Sequence, residues 1–248
     1  LAICLASMVR AQSLSSVSVA FERFVVRKAA AELVRGHVFF AQPDLLLLRA
    51  DSSAFTDGSV RSDDSTALND LRRMLKPVNQ WMRFQDTALL IYYPDEARAF
   101  EIHARHPLLL PFFQAFVGVV KEDFGLPQAG FTLSRTENRG ETLVVHWLPS
   151  KALTRYLRSV SVCLTADRLA AVESRDTKGG VVSRAEYGDH VEWHGTWFPQ
   201  RITLVQHQGC ETTFEQVSYS DPQFGIELPD SVTRFSLPIG VECQRVTW

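Results

Sequence analysis

Cysteine is scarce in this chain, with 4 among 248 residues, and what there is does little. Cys4 lies in the apolar start. The others, Cys163, Cys210 and Cys243, are odd in number, so at most one intramolecular disulfide forms and one thiol stays free. The alternative is three buried small hydrophobes. An excess of either charge is also lacking. There are 26 basic and 28 acidic residues, for a net charge of −2, which gives no pull toward nucleic acid or an anionic membrane surface. No run reaches the roughly 18–20 apolar residues of a transmembrane helix. A Gly-x-Ser-x-Gly nucleophile elbow is missing, as is a glycine-rich loop opening a helix to cradle phosphate.

The seven histidines raise a metal site and do not support it. His190 and His194 fall on strand-like sequence, where their spacing separates the Cα atoms by roughly 13 Å. His103 and His106 lack a third ligand nearby. The acidic stretch 52–70 lacks the spaced ligands of a calcium loop. His207 and Cys210 flank a turn with no orienting carboxamide. The expectation is a protein without catalytic residues, metal or cofactor.

What is present is apolar and alternating. Hydrophobic residues make up 46% of the chain, and its 16 Phe outnumber 5 Tyr and 5 Trp combined. A period of two predicts strands over 31–41, 44–51, 81–86, 88–93 and 97–102. Others follow over 131–136, 142–148, 160–165, 169–175, 181–190, 196–207 and 211–218. Residues 17–27 alternate imperfectly, so a helix competes with a strand there. Pro43 ends one strand, because proline cannot donate to a ladder. Residues 52–70 read as a solvated loop running into a short helix over 66–76. Residues 106–121 read as an apolar helix, kinked at or starting after Pro111. Their core reading is a buried helix, and their sharper reading is a mobile lid. The fold class expected is mainly β (α+β), with a single curved antiparallel sheet forming a half-open barrel and short helices covering its mouth.

The N-terminus reads as export. Residues 1–9 are apolar, and Val9-Arg10-Ala11 precedes Gln12 as a cleavage site would. Residues 1–11 are therefore expected to be residual signal peptide, and 12–248 a single domain. Lipidation at Cys4 is disfavoured, because Ile3 replaces the small residue a lipobox needs.

Several blocks resemble the periplasmic outer-membrane lipoprotein carrier family, the LolA-like proteins. Phe21-Glu22-Arg23-Phe24 stands where that family has an early Phe-x-Gln segment. Gly36-His37-Val38-Phe39-Phe40-Ala41-Gln42-Pro43 resembles its Gly-x-apolar-aromatic-apolar-Lys-Arg-Pro. Asp86-Thr87-Ala88-Leu89-Leu90-Ile91-Tyr92-Tyr93-Pro94 resembles its Asp-Gly-x-x-(Leu/Trp)-x-Tyr-x-Pro. The helix over 106–118 follows in order, and Phe235-Ser236-Leu237-Pro238-Ile239-Gly240-Val241 resembles its closing segment. The departures are Gln42 for the family's Arg, Leu48 for its Trp and Thr87 for its Gly. Residues 52–70 and 177–196 look like additions.

The resemblance implies a carrier that shields lipoprotein acyl chains, or free lipids, in a hydrophobic cavity for transfer across the periplasm of a diderm bacterium to its outer membrane. Each exposed methylene costs about 0.8 kcal/mol, so an acyl chain needs such cover. The expected cavity wall is Val38, Phe40, Leu46, Leu48, Leu90 and Tyr92. Leu109, Phe112, Phe113 and Phe116 are the expected lid, and Gln42 the gate. The implied partners are an inner-membrane releasing complex and an outer-membrane acceptor, with the carrier a monomer that binds no nucleic acid. A membrane-anchored acceptor using Cys4, and a non-catalytic sensor or interaction module, are the competing readings.

Overall fold

Alternating apolar residues build a sheet along almost the whole chain. The computed structural model describes residues 15–28, 30–42, 45–57, 65–85, 87–103, 116 and 123–247. The first six strands are β1 (Ser16–Arg27), β2 (Ala30–Ala41), β3 (Leu45–Asp57), β4 (Lys76–Gln85), β5 (Ala88–Tyr93) and β6 (Arg98–His103). The next four are β7 (Phe131–Arg139), β8 (Thr142–Pro149), β9 (Ser159–Thr165) and β10 (Arg168–Arg175). Then come β11 (Val181–Trp193), β12 (Thr196–Gln208), β13 (Glu211–Phe224) and β14 (Glu242–Thr247).

All 14 lie in one sheet, ordered β14-β6-β5-β4-β3-β2-β1-β13-β12-β11-β10-β9-β8-β7. The sheet is curved and does not close, as the sequence led us to expect. Its middle is the junction of β1 with β13, which brings the first and last thirds of the chain together. Every neighbouring pair is antiparallel except β14 with β6, which run parallel. The sequence reading did not include β14.

The face shared by Val17, Val19 and Phe21 of β1 continues laterally through Val38 of β2, Leu48 of β3 and Phe84 of β4. In the other direction it continues through Tyr219 of β13, Ile202 of β12, Tyr187 of β11 and Trp147 of β8. These residues form one apolar cluster, the largest in the protein, on the inner face of the curve. Burying each such side chain stabilises the fold by roughly 1.5–3 kcal/mol.

The outer face is covered in two places. Helix α1 (Ser65–Arg73) sets Leu71 against Phe24, Val26, Leu33 and Ala54. Further along, Leu228, helix α2 (Asp230–Thr233) and Phe235 pack on Phe39, Leu47 and Trp81. Helices α1 and α2 thus sit outside the curve. This explains the poor alternation of β1. Phe21 faces the inner core while Phe24 and Val26 face α1, so the strand is apolar on both sides.

Two boundaries differ from the sequence reading. The solvated loop expected from residue 52 begins later, because β3 continues to Asp57 in register with β2. The expected helix over 66–76 is α1, and β4 already starts at Lys76. Cys163, Cys210 and Cys243 are all free thiols. Residues 1–14, which carry the expected export segment, lie outside the described residues.

Candidate functional site

Four of the expected wall residues come together on the inner face. β2 and β3 pair Val38 with Leu48 and Phe40 with Leu46. Direct cross-strand partners point to the same side of a sheet. Val38 and Leu48 are almost wholly buried, and Leu46 packs against the same core.

Leu90 and Tyr92 do not join them. β4 pairs Arg83 with Leu90 and Trp81 with Tyr92, and Trp81 belongs to the outer cluster. Tyr92 lies against Phe235 there, with ring centroids 6.4 Å apart. The inward residues of β5 are Leu89 and Ile91, opposite Phe84 and Met82. Side chains alternate strictly along a strand, so the expected assignment was one residue out of phase.

Above this wall sits Phe116, with no exposed surface. Its ring lies 6.1 Å from Phe40, 5.3 Å from Phe198 and 5.6 Å from Tyr219. Those partners belong to β2, β12 and β13, so one aromatic side chain spans the centre of the inner face. The other expected lid residues, Leu109, Phe112 and Phe113, lie outside the described residues. After them, the turns of residues 123–130 add Phe124, Leu126 and Ala129 to the same core. Gln42 is exposed where the β1–β2 hairpin ends, and its backbone N–H donates to the Ser15 carbonyl at 3.0 Å.

One ion pair interrupts the inner face. Arg23 donates to Glu215 through Nε at 2.8 Å and Nη2 at 3.1 Å. Burial works to lower the Arg23 pKa, but the Glu215 hydrogen bonds and charge outweigh it and raise it. Tyr187 and Tyr219 lie on this face too, and burial pushes both phenols above their usual range. Sequence reasoning missed the pair. The signal was there, because Arg23 occupies an inward phase otherwise held by Val17, Val19, Phe21 and Val25.

The polar groups elsewhere form cross-strand ladders. His146 contacts Ser161 Oγ at 3.0 Å through Nδ1 and Glu137 Oε2 at 3.2 Å through Nε2. Hydrogen bonds from Arg139 and then His146 hold the exposed Glu137 carboxyl down to about 2. The three residues lie on the adjacent paired strands β7, β8 and β9. His190 Nε2 donates to the Leu169 carbonyl at 2.9 Å, which gives it a structural role. Among the described residues no group of three or more His, Cys, Asp or Glu is arranged to hold a metal ion.

No family model matches this sequence, and no curated protein does. Solved structures do match. A LolA superfamily protein from Nitrosomonas europaea aligns with a TM-score of 0.53 at 14% identity, over 88% of this chain and 90% of that one. A putative outer membrane lipoprotein-sorting protein domain from Vibrio parahaemolyticus aligns at 0.50 and 16%, over 89% and 90%. A DUF1329 family protein from Desulfovibrio piger aligns at 0.54 and 13%, over 89% and 90%.

The chain has a LolA-like fold.

Within this fold, Gly36 has a visible reason to be glycine. A Cβ there would run into the carbonyl of Arg49, beside an irregularity in the β2–β3 register. Leu48 and Gln42, expected to stand for the family's Trp and Arg, play separate parts. Leu48 is core, whereas Gln42 is surface.

Proposed function

We propose that this protein carries acyl chains, of lipoproteins or free lipids, on the inner face of its sheet. The observation that carries the reading is how that face is covered. It is largely apolar from β4 to β8, yet among the described residues its cover is Phe116 and the turns of 123–130 and 151–156 rather than a second sheet. A concave apolar surface closed by a short segment can open without breaking a β-ladder. The LolA-like fold supports the same reading, since one neighbour of this fold is described as a lipoprotein-sorting domain. Val38, Phe40, Leu46 and Leu48 form the wall, and Phe116, with Leu109, Phe112 and Phe113, forms the lid. The setting is the periplasm, with residues 1–11 as the export segment, 12–248 as one carrier domain, and membrane complexes at either end of the route as partners.

The test is native mass spectrometry of gently purified protein, before and after loading with a fluorescent acyl probe. Acyl-bearing masses are expected on the folded chain and are lost on denaturation. Leu45 and Leu46 are adjacent, half-buried, and on opposite faces. Leu46→Trp, which fills the inner face, should lower probe loading several-fold, while Leu45→Trp should not. A folded protein that neither arrives with nor accepts acyl chains refutes the carrier reading.

A further inference from the structure

The inner face is apolar, and it holds one charged pair in its midst. Along β1 the inward residues are Val17, Val19, Phe21, Arg23 and Val25. Arg23 lies opposite Val34 of β2 and Val217 of β13. Glu215 lies opposite Val25 of β1 and Leu204 of β12. Glu215 is 8% exposed, and the Arg23 side chain keeps 25% of its surface open. Such a pair adds little stability, because removing two charges from water offsets most of their attraction.

We propose that the Arg23–Glu215 pair selects the cargo, admitting acyl chains joined to a neutral ester or amide and rejecting free fatty-acid carboxylates. This rests on the carrier reading above. The bidentate contact uses Nε and Nη2 of the guanidinium, which leaves Nη1 as a donor. A carbonyl oxygen can accept from it without bringing a charge into the apolar site. A carboxylate must either lie beside Glu215 or displace it and strand it as a buried, unpaired charge. Glu32, across from Val25 on β2, adds a second negative charge on the same face. Arg27, next on the inward phase of β1, offsets Glu32, so the buried Glu215 is what disfavours an anionic headgroup.

The experiment is displacement of a bound fluorescent acyl probe from the full chain, at about pH 8, where a dispersed fatty acid is ionised. The competitors are palmitate, monopalmitoylglycerol and an N-palmitoyl cysteine peptide. The last two separate an ester source from an amide source. The wild type is expected to prefer both neutral competitors over palmitate by at least about ten-fold. Glu215→Gln should gain palmitate affinity and collapse the ratio. Breaking one partner endangers folding, so Arg23→Leu with Glu215→Leu is made as well. That pair of changes leaves neither a buried charge nor the guanidinium donor, so both neutral competitors should lose affinity several-fold while palmitate, with no partner for its carboxylate, stays weak and the ratio shrinks. Equal binding of palmitate and the neutral competitors by the wild type overturns the selection. So does a ratio unchanged in the folded double variant. Failure of every competitor to displace or bind overturns the carrier reading itself.

Discussion

Gly36 has no room for a side chain. A Cβ there collides with the Arg49 carbonyl, a backbone atom that cannot swing away. Gly36→Ala should therefore destabilise the protein by roughly 3 kcal/mol, at the upper end of overpacking costs. A urea melt monitored by circular dichroism checks this, and an unchanged midpoint would contradict the close approach. Single residues were legible in the sequence where the chain states a phase. Val38 and Phe40 alternate with His37 and Phe39, and their place on a common wall follows from pairing with Leu46 and Leu48. Leu90 and Tyr92 were illegible for a physical reason. Ala88–Tyr93 is apolar without interruption because β5 is covered on both faces, and an unbroken run has no phase to read.

At the scale of elements, α1 is tied to the sheet by charge as well as by Leu71. Glu22 of β1 accepts from Arg72 of α1, with the closest contact at 2.5 Å, and from Arg35 of β2 at 2.6 Å. Burial works to raise the Glu22 pKa, but hydrogen bonds from Arg72 and then Arg35 outweigh it and hold it below its ordinary value of 4.5. A carboxyl lowered on folding stabilises the folded state fully above its unfolded pKa. That contribution is lost as pH falls through the folded value. Glu22→Gln should accordingly cost a few tenths to about 1 kcal/mol at neutral pH, after allowing for solvent screening. The gap to wild type should close as the pH is taken below 4.5. Urea midpoints of both proteins across that range test it, and a gap that widens in acid would reverse the sign. Most of the antiparallel strands were readable because they are apolar on at least one face. β14 was not, because all six of its residues are exposed and it carries no apolar alternation. It exists through backbone pairing with the edge of β6.

For the whole molecule, the inner core is one body. It joins Phe84 of β4 to Trp147 of β8 through the strands between them, with Phe116 across the middle. A shared core of this kind predicts one cooperative transition. Tryptophan fluorescence, sampling Trp81 outside and Trp147 inside, should give the same denaturation midpoint as far-UV circular dichroism. Two separated midpoints would mean that the halves of the sheet unfold independently. The closure of β1 against β13 makes this body possible, and contacts that distant in sequence leave no local trace.

Sequence alone determined that this chain is a β protein of short antiparallel strands with an apolar inner face, because side-chain period and turn chemistry are local properties. Only the tertiary structure decided which face each strand turns inward and that α1 and α2 cover the outer side. It also decided that Arg23 meets Glu215 within the core. Those outcomes depend on lateral pairing between strands distant in the chain, such as Val17 of β1 facing Phe224 of β13, and register between distant strands is set by the packing of the whole sheet.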